Sequence, residues 1–187
     1  MRKGSRADLR KMPKSNGNSL FRASGKLKAI KRAGWVKNAG IENAESVADH
    51  SFRMAVIGAY LGEMTDLNAG KIVMMCLIHD LAESMIGDLT PAEKPSLKEH
   101  RKMEDKAMKE ILSSLPKKAR KRFSKYWDEL LESKSKESKL VWKIDKLEMG
   151  LQMKDYAALG IDMKLLAAFD PSEYLTKELK TVFQDYS

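Results

Sequence analysis

The run Ile72-Val73-Met74-Met75-Cys76-Leu77-Ile78 ends on His79-Asp80. Seven consecutive apolar residues followed by Glu83 and Gly87 favour helix over strand, so Ile72 to Glu83 is expected to form the central, most buried helix. Two ionisable groups at the end of such a helix are costly if left unpaired, and a shared cation removes that cost. A second doublet, Asp49-His50, lies in another helical run, Val47 to Met64.

The pattern elsewhere is also helical. Leu27, Ile30 and Trp35 open the domain, and Phe52, Val56, Ala59, Tyr60 and Glu63 mark successive turns of the next helix, with Ser46 or Asp49 as its cap. Gly87-Asp88-Leu89-Thr90-Pro91 reads as a loop, because glycine permits unusual dihedrals and Pro91 biases Thr90 away from helix. Further helices are expected from Ser96 to Ser114, from Pro116 towards Glu132, and from Lys139 to Ala158. Val141, Ile144, Leu147, Leu151 and Met153 form the apolar stripe of the last of these. Asp170-Pro171-Ser172 then separates two short helical segments. No β pattern or repeat is visible, so the fold class is all-α, a single helical bundle.

The net charge of +9 is concentrated at one end. Residues 1–28 carry nine cationic side chains against the single acid Asp8, whereas the rest of the chain is nearly neutral. Residues 1–25 are therefore expected to be a basic flexible tail, and residues 26–187 the folded domain. The tail is either an arm for nucleic acid or an acidic partner, or a solvated leader. The lack of an aromatic stacking platform favours the leader, and nucleic-acid binding is not expected of the folded body. No stretch approaches the ~18–20 apolar residues of a membrane span, and no secretory signal is visible. Cys76, the sole cysteine, excludes an intramolecular disulfide and points to the cytoplasm.

Asp145 stands next to Ile144 and Leu147, at core spacing, where a solvated acid is not expected. With His50, His79 and Asp80 it completes a set of two imidazoles and two carboxylates. Such a set suits one divalent transition-metal ion, Mn²⁺, Co²⁺, Zn²⁺, Ni²⁺ or Fe²⁺, better than Ca²⁺, which prefers oxygen shells. Glu83, one turn beyond His79 and not needed as a ligand, is the candidate to orient or deprotonate a water. His100, in the charged stretch Lys98-Glu99-His100-Arg101-Lys102, is read as solvated, and the many methionines as core filler.

The ordered set His50, His79-Asp80 and Asp145 resembles the signature of the HD-domain metal-dependent phosphohydrolases. Arg32-Ala33-Gly34-Trp35-Val36, Glu45-Ser46-Val47-Ala48-Asp49-His50, His79-Asp80-Leu81-Ala82-Glu83 and Gly87-Asp88-Leu89-Thr90-Pro91 are similar to blocks of the 5′-deoxynucleotidase branch. The similarity spans about residues 26 to 183. It implies hydrolysis of deoxynucleoside 5′-monophosphates to deoxynucleoside and phosphate, in an α-helical homodimer. It also implies that Arg32 holds the phosphate through a bidentate guanidinium, with Trp35, Asp88 and Thr90 near the nucleotide. The alternatives are an HD hydrolase of a cyclic nucleotide or nucleoside triphosphate, and a nucleic-acid-binding protein with a structural metal.

Overall fold

The computed structural model describes residues 17–186. Helix α1 (Asn18–Leu27) begins inside the stretch expected to be tail. Ala23 and Leu27 are buried and Leu20 packs beside them, so an apolar i, i+3, i+7 edge runs through the basic residues. The backbone N–H of Ser19 also donates to Ser114 Oγ at 3.3 Å. Helix α1 thus spans the expected boundary at residue 25, and residues 1–16, which hold most of the expected tail, lie outside the described residues.

Helix α2 (Ala33–Asn38) and helix α3 (Val47–Glu63) follow. An isolated antiparallel backbone bridge joins Lys31, just before α2, to Ser46, just before α3. Both candidate caps of α3 act together: Ser46 Oγ accepts from the Asp49 N–H at 3.1 Å, and Asp49 Oδ2 accepts from the Ser46 N–H at 2.8 Å.

The buried face of α3 is Val47, His50, Ser51, Met54, Ala55, Gly58 and Gly62. The stripe expected at Phe52, Val56, Ala59, Tyr60 and Glu63 is the exposed face instead. The reason is close helix packing. Helix α4 (Ala69–Ile78) approaches the glycine side so tightly that a Cβ on Gly62 would stand 2.6 Å from Ala69 Cα.

The expected helix from Ile72 to Glu83 is broken. Helix α4 ends at Ile78, and residues 79–82 form tight turns with bonds such as Leu81 N–H to Ile78 O at 3.1 Å and Glu83 N–H to Asp80 O at 3.0 Å. The short helix α5 (Glu83–Ile86) resumes, and Gly87 closes it at φ 81°, a left-handed angle that glycine adopts without strain.

Helices α6 (Leu97–Ser113), α7 (Lys117–Glu132) and α8 (Lys136–Ala158) match the sequence expectation to within three residues at each end. Ser96 and Ser135 cap α6 and α8 with their side chains, and Pro116 precedes the first turn of α7. Helix α9 (Met163–Leu166), a 3₁₀ turn (Ala167–Phe169) and helix α10 (Lys177–Asp185) complete the chain. No strand occurs among the described residues.

Two apolar clusters meet along α8. One gathers Leu27, Met54, Ile72, Met75, Met108, Leu130 and Ile144; the other gathers Trp35, Leu147, Leu151, Leu166, Phe169 and Phe183. Asp145 lies in sequence between the contributions of α8 to each cluster and is itself buried. His100 corrects another expectation, being 8% exposed, with Nδ1 3.4 Å from Glu104. The apolar side of α6 that carries Ala107, Met108 and Ile111 into the core extends back to it.

Candidate metal centre and adjoining cavity

The break after Ile78 explains how neighbours in sequence converge in space. On a regular helix His79 and Asp80 would splay by about 100°. In the turn their side chains meet, with His79 Nε2 2.9 Å from Asp80 Oδ2. His50, from α3, brings its Nε2 to 3.3 Å from His79 Nε2, 3.3 Å from Asp145 Oδ1 and 3.8 Å from Asp80 Oδ2. His50, His79 and Asp145 thus bring ligand atoms within 4.8 Å of one another from α3, the α4–α5 turn and α8, and Asp80 borders the two imidazoles through Oδ2.

The tautomers of both imidazoles follow from their partners. His79 Nδ1–H donates to the Cys76 carbonyl at 2.7 Å, and His50 Nδ1–H donates to Glu148 Oε2. With Nδ1 committed in this way, each ring turns Nε2 towards the cluster, the nitrogen that a metal would take in its unprotonated form. Both imidazoles are buried, so two nitrogens and two carboxylates with fixed lone pairs fit a divalent transition metal.

Electrostatics across the cluster are strong. For His50, burial and Arg32 work downwards, but Glu148 and Asp145 outweigh them and raise it to about 9. Burial opposes the charged form of Asp145, yet the His50 hydrogen bond, Lys146 and Arg32 hold it well below the usual carboxylate range. Asp80 is likewise depressed against its burial, by His79, Arg32 and His50. A surplus of buried negative charge that attracts every nearby cation is the electrostatic setting of a divalent-ion site.

Arg32, Trp35, His79, Asp80, Glu83, Asp88, Thr90 and Asp145 line one cavity of about 380 Å³. Arg32 Nη1 donates to Asp80 Oδ2 at 3.1 Å. Trp35 stacks on Phe169 with centroids 3.8 Å apart and donates through Nε1 to Glu45. Glu83 is buried, and its Oε2 has no hydrogen-bond partner. Burial, then the carboxylates of Asp80 and Asp88, push its carboxyl well above the usual range.

Two of these residues have local duties. Asp88 Oδ2 accepts from the Ala33 N–H at 2.7 Å, at the first turn of α2, and Thr90 Oγ1 donates to Glu93 Oε2 at 2.9 Å. Sequence reasoning passed over the far wall of the cavity, where Trp127, Leu131, Trp142 and Met149 stand. Trp142 and Met149 flank Asp145 at helical spacing on α8, a signal masked by their resemblance to ordinary core residues.

An HD domain profile matches residues 24–181. The chain belongs to the HD domain family. It therefore stands among the HD phosphohydrolases that the ordered histidines and aspartates resemble. The 5′-deoxynucleotidase HDDC2 of Dictyostelium discoideum is 40% identical over 167 residues, covering 83% of this chain and 87% of that protein. The human protein of the same name is 38% identical over 140 residues, 75% of this chain and 68% of that one. Among solved structures, a conserved hypothetical protein from Pyrococcus furiosus superposes with TM-score 0.71 at 31% identity, covering 89% of this chain and 98% of that chain. A predicted metal-dependent phosphohydrolase from Magnetospirillum magnetotacticum shares the fold, with TM-score 0.64 at 21% identity over 89% of this chain and 87% of that one.

Proposed function

We propose that this HD-domain protein is a 5′-deoxynucleotidase, hydrolysing deoxynucleoside 5′-monophosphates to deoxynucleoside and phosphate with one divalent transition metal, Mn²⁺, Co²⁺, Zn²⁺, Ni²⁺ or Fe²⁺. The observation that carries this reading is the convergence of His50 Nε2, His79 Nε2, Asp80 and Asp145 beside a cavity walled by Arg32 and Glu83. Those four side chains are assigned as ligands. An ion bound there supplies Lewis acidity to a phosphoryl oxygen and acidity to a water.

The remaining steps belong to the protein. Arg32 retains N–H donors beyond the one given to Asp80 and binds the phosphate oxygens through them. Glu83 accepts the proton of the attacking water; its raised affinity for protons suits that task near neutral pH. Lys146, 2.9 Å from Asp145 Oδ2, offsets charge on that ligand. Trp35, held by Phe169 and Glu45, is a rigid wall for the nucleoside, and Asp88 and Thr90 border it from the loop after α5.

The working form is assigned as a homodimer. Phe52, Val56, Tyr60 and Met64 repeat every four residues along the outer face of α3, and each is more than half exposed. In the proposed dimer this stripe meets its own copy about a two-fold axis. No helix among the described residues is long and apolar enough to cross a membrane. The single thiol of Cys76 is free and buried, and on that ground the protein is assigned to the reducing cytoplasm. The folded domain is taken to include α1, from Asn18.

The test is release of inorganic phosphate from a panel of deoxynucleoside and ribonucleoside monophosphates, cyclic nucleotides and triphosphates. Metal-stripped protein would be reloaded with Mn²⁺, Co²⁺, Zn²⁺ or Mg²⁺. Turnover confined to deoxynucleoside monophosphates supports the proposal; inactivity on every monophosphate rejects it.

A further inference from the structure

Behind the metal centre, α3 and α8 face each other through two matched pairs. His50 and Arg53 are three residues apart on α3, and Asp145 and Glu148 are three apart on α8, so each pair lies on one helix face. His50 Nε2 stands 3.3 Å from Asp145 Oδ1, and Arg53 Nε donates to Glu148 Oε1 at 2.8 Å. The diagonal is filled by the His50 Nδ1–H donating to Glu148 Oε2. Both oxygens of a fully buried carboxylate are thereby engaged, one by a proposed ligand and one by a guanidinium.

Arg53 is itself held at each nitrogen. Nη1 donates to Asp155 Oδ2, and Nη2 to Gln152 Oε1 at 2.7 Å, so Glu148, Gln152 and Asp155 grip it at successive turns of α8. Asp155 is in turn fixed by the Tyr186 hydroxyl, which donates to Oδ1 at 2.8 Å. Arg53 also lines a surface cleft with Asn43, Glu45, Phe52 and Gln152, none of which lines the substrate cavity. A chain of directional bonds therefore runs from the surface to the ring of His50 without touching the substrate cavity.

We infer that Arg53 and Glu148 are positioning residues which set the affinity of the metal centre by fixing the tautomer and rotation of His50. The inference rests on the assignment of His50 as a ligand. Without Arg53, the Glu148 carboxylate loses the partner that aims it, and the His50 ring loses its fixed bearing on the ion. Partners of this kind behind a ligating histidine commonly change metal affinity about 10–100-fold when removed. Arg53→Lys keeps the charge but not the fork that spans Glu148, Gln152 and Asp155, so it falls between wild type and Arg53→Met.

The experiment measures Mn²⁺ dissociation constants by chelator competition for wild type, Glu148→Gln, Arg53→Met, Arg53→Lys and the double variant, with folding checked by circular dichroism. The expected result is Mn²⁺ binding weakened about 10–100-fold in Glu148→Gln and Arg53→Met, and less in Arg53→Lys. The double variant should be no weaker than the worse single one, because both act through the same ring. At saturating Mn²⁺, KM for the nucleotide should stay near wild type. If Glu148→Gln does not fold, the two Arg53 variants decide the question, since Arg53 is partly exposed. A wild-type protein that binds Mn²⁺ while Arg53→Met binds it equally well, with only a lowered Tm, overturns the inference and leaves the metal site standing. A wild-type protein that binds no Mn²⁺ removes the ligand assignment itself.

Discussion

Replacing Glu83 with glutamine separates proton transfer from metal binding and from packing. The side chain is buried, its Oε2 lacks a partner, and burial with the nearby Asp80 and Asp88 raises its affinity for a proton. Glutamine keeps its shape and resembles the protonated acid, but it cannot take a proton from water. Loss of a positioned base costs about 10²–10⁴ in kcat, or roughly 2.7–5.5 kcal/mol of transition-state stabilisation. KM and Mn²⁺ affinity should stay within about threefold, because Glu83 is not assigned as a ligand or a phosphate contact.

Stability supplies a second readout of the same substitution. In metal-stripped protein the folded carboxyl has a raised pKa, so the folded state binds more protons than the unfolded state. The stability contribution of Glu83 is therefore fully present below its ordinary unfolded range and is lost as pH rises through the folded value. Glu83→Gln removes that slope, and the variant should melt at least as high as wild type near neutral pH. Steady-state phosphate release and thermal melts across pH test both halves. A variant that keeps more than about a tenth of wild-type kcat refutes the role of Glu83 as the base.

Gly62→Ala forces a Cβ to within 2.6 Å of Ala69 Cα and should cost about 1–3 kcal/mol by chemical denaturation. An unchanged midpoint would mean that α3 and α4 are not so closely apposed. Phe52→Glu with Tyr60→Glu should convert a dimer to a monomer by light scattering while circular dichroism stays the same; a dimer that persists places the interface elsewhere. Asp80→Ala should abolish Mn²⁺-stimulated phosphate release, whereas removing residues 1–16 should leave it intact. Loss of activity on truncation, with salt-dependent RNA binding by the full chain, would favour the nucleic-acid reading.

The elements that were legible in the sequence are those whose burial has a simple period. Helices α6, α7 and α8 carry a regular apolar edge bounded by Ser96, Pro116 and Ser135, and their limits were read almost in full. Helix α3 misled for a physical reason: beside Val47 and Met54, its buried side is built from His50, Ser51, Ala55, Gly58 and Gly62, while Phe52, Val56 and Tyr60 face outward. A hydrophobicity count selects Phe52 and Tyr60, whereas close packing against α4 selects the small ones. The helix break at His79 was hidden because no proline or glycine marks it, and only there can adjacent side chains point to one place.

The candidate ligands could be picked out one by one, since charge inside an apolar run is expensive wherever it occurs. Their geometry is not visible in the sequence, and neither is the grip of Arg53 and Glu148 on His50: Glu148 stands out only as a neighbour of Asp145 that could support it, and Arg53 carries no signal beyond that of a helical charge. Trp35 illustrates the same limit: sequence similarity placed it near substrate, but only its stacking on Phe169 and its bond to Glu45 account for its rigidity.

A crystal of Mn²⁺-loaded protein measured at the manganese absorption edge tests the central claim most directly. The account predicts one anomalous peak at bonding distance, about 2.0–2.2 Å, from His50 Nε2, His79 Nε2 and one oxygen each of Asp80 and Asp145. A peak elsewhere, or density for Arg32 or a water alone among those four side chains, would contradict it.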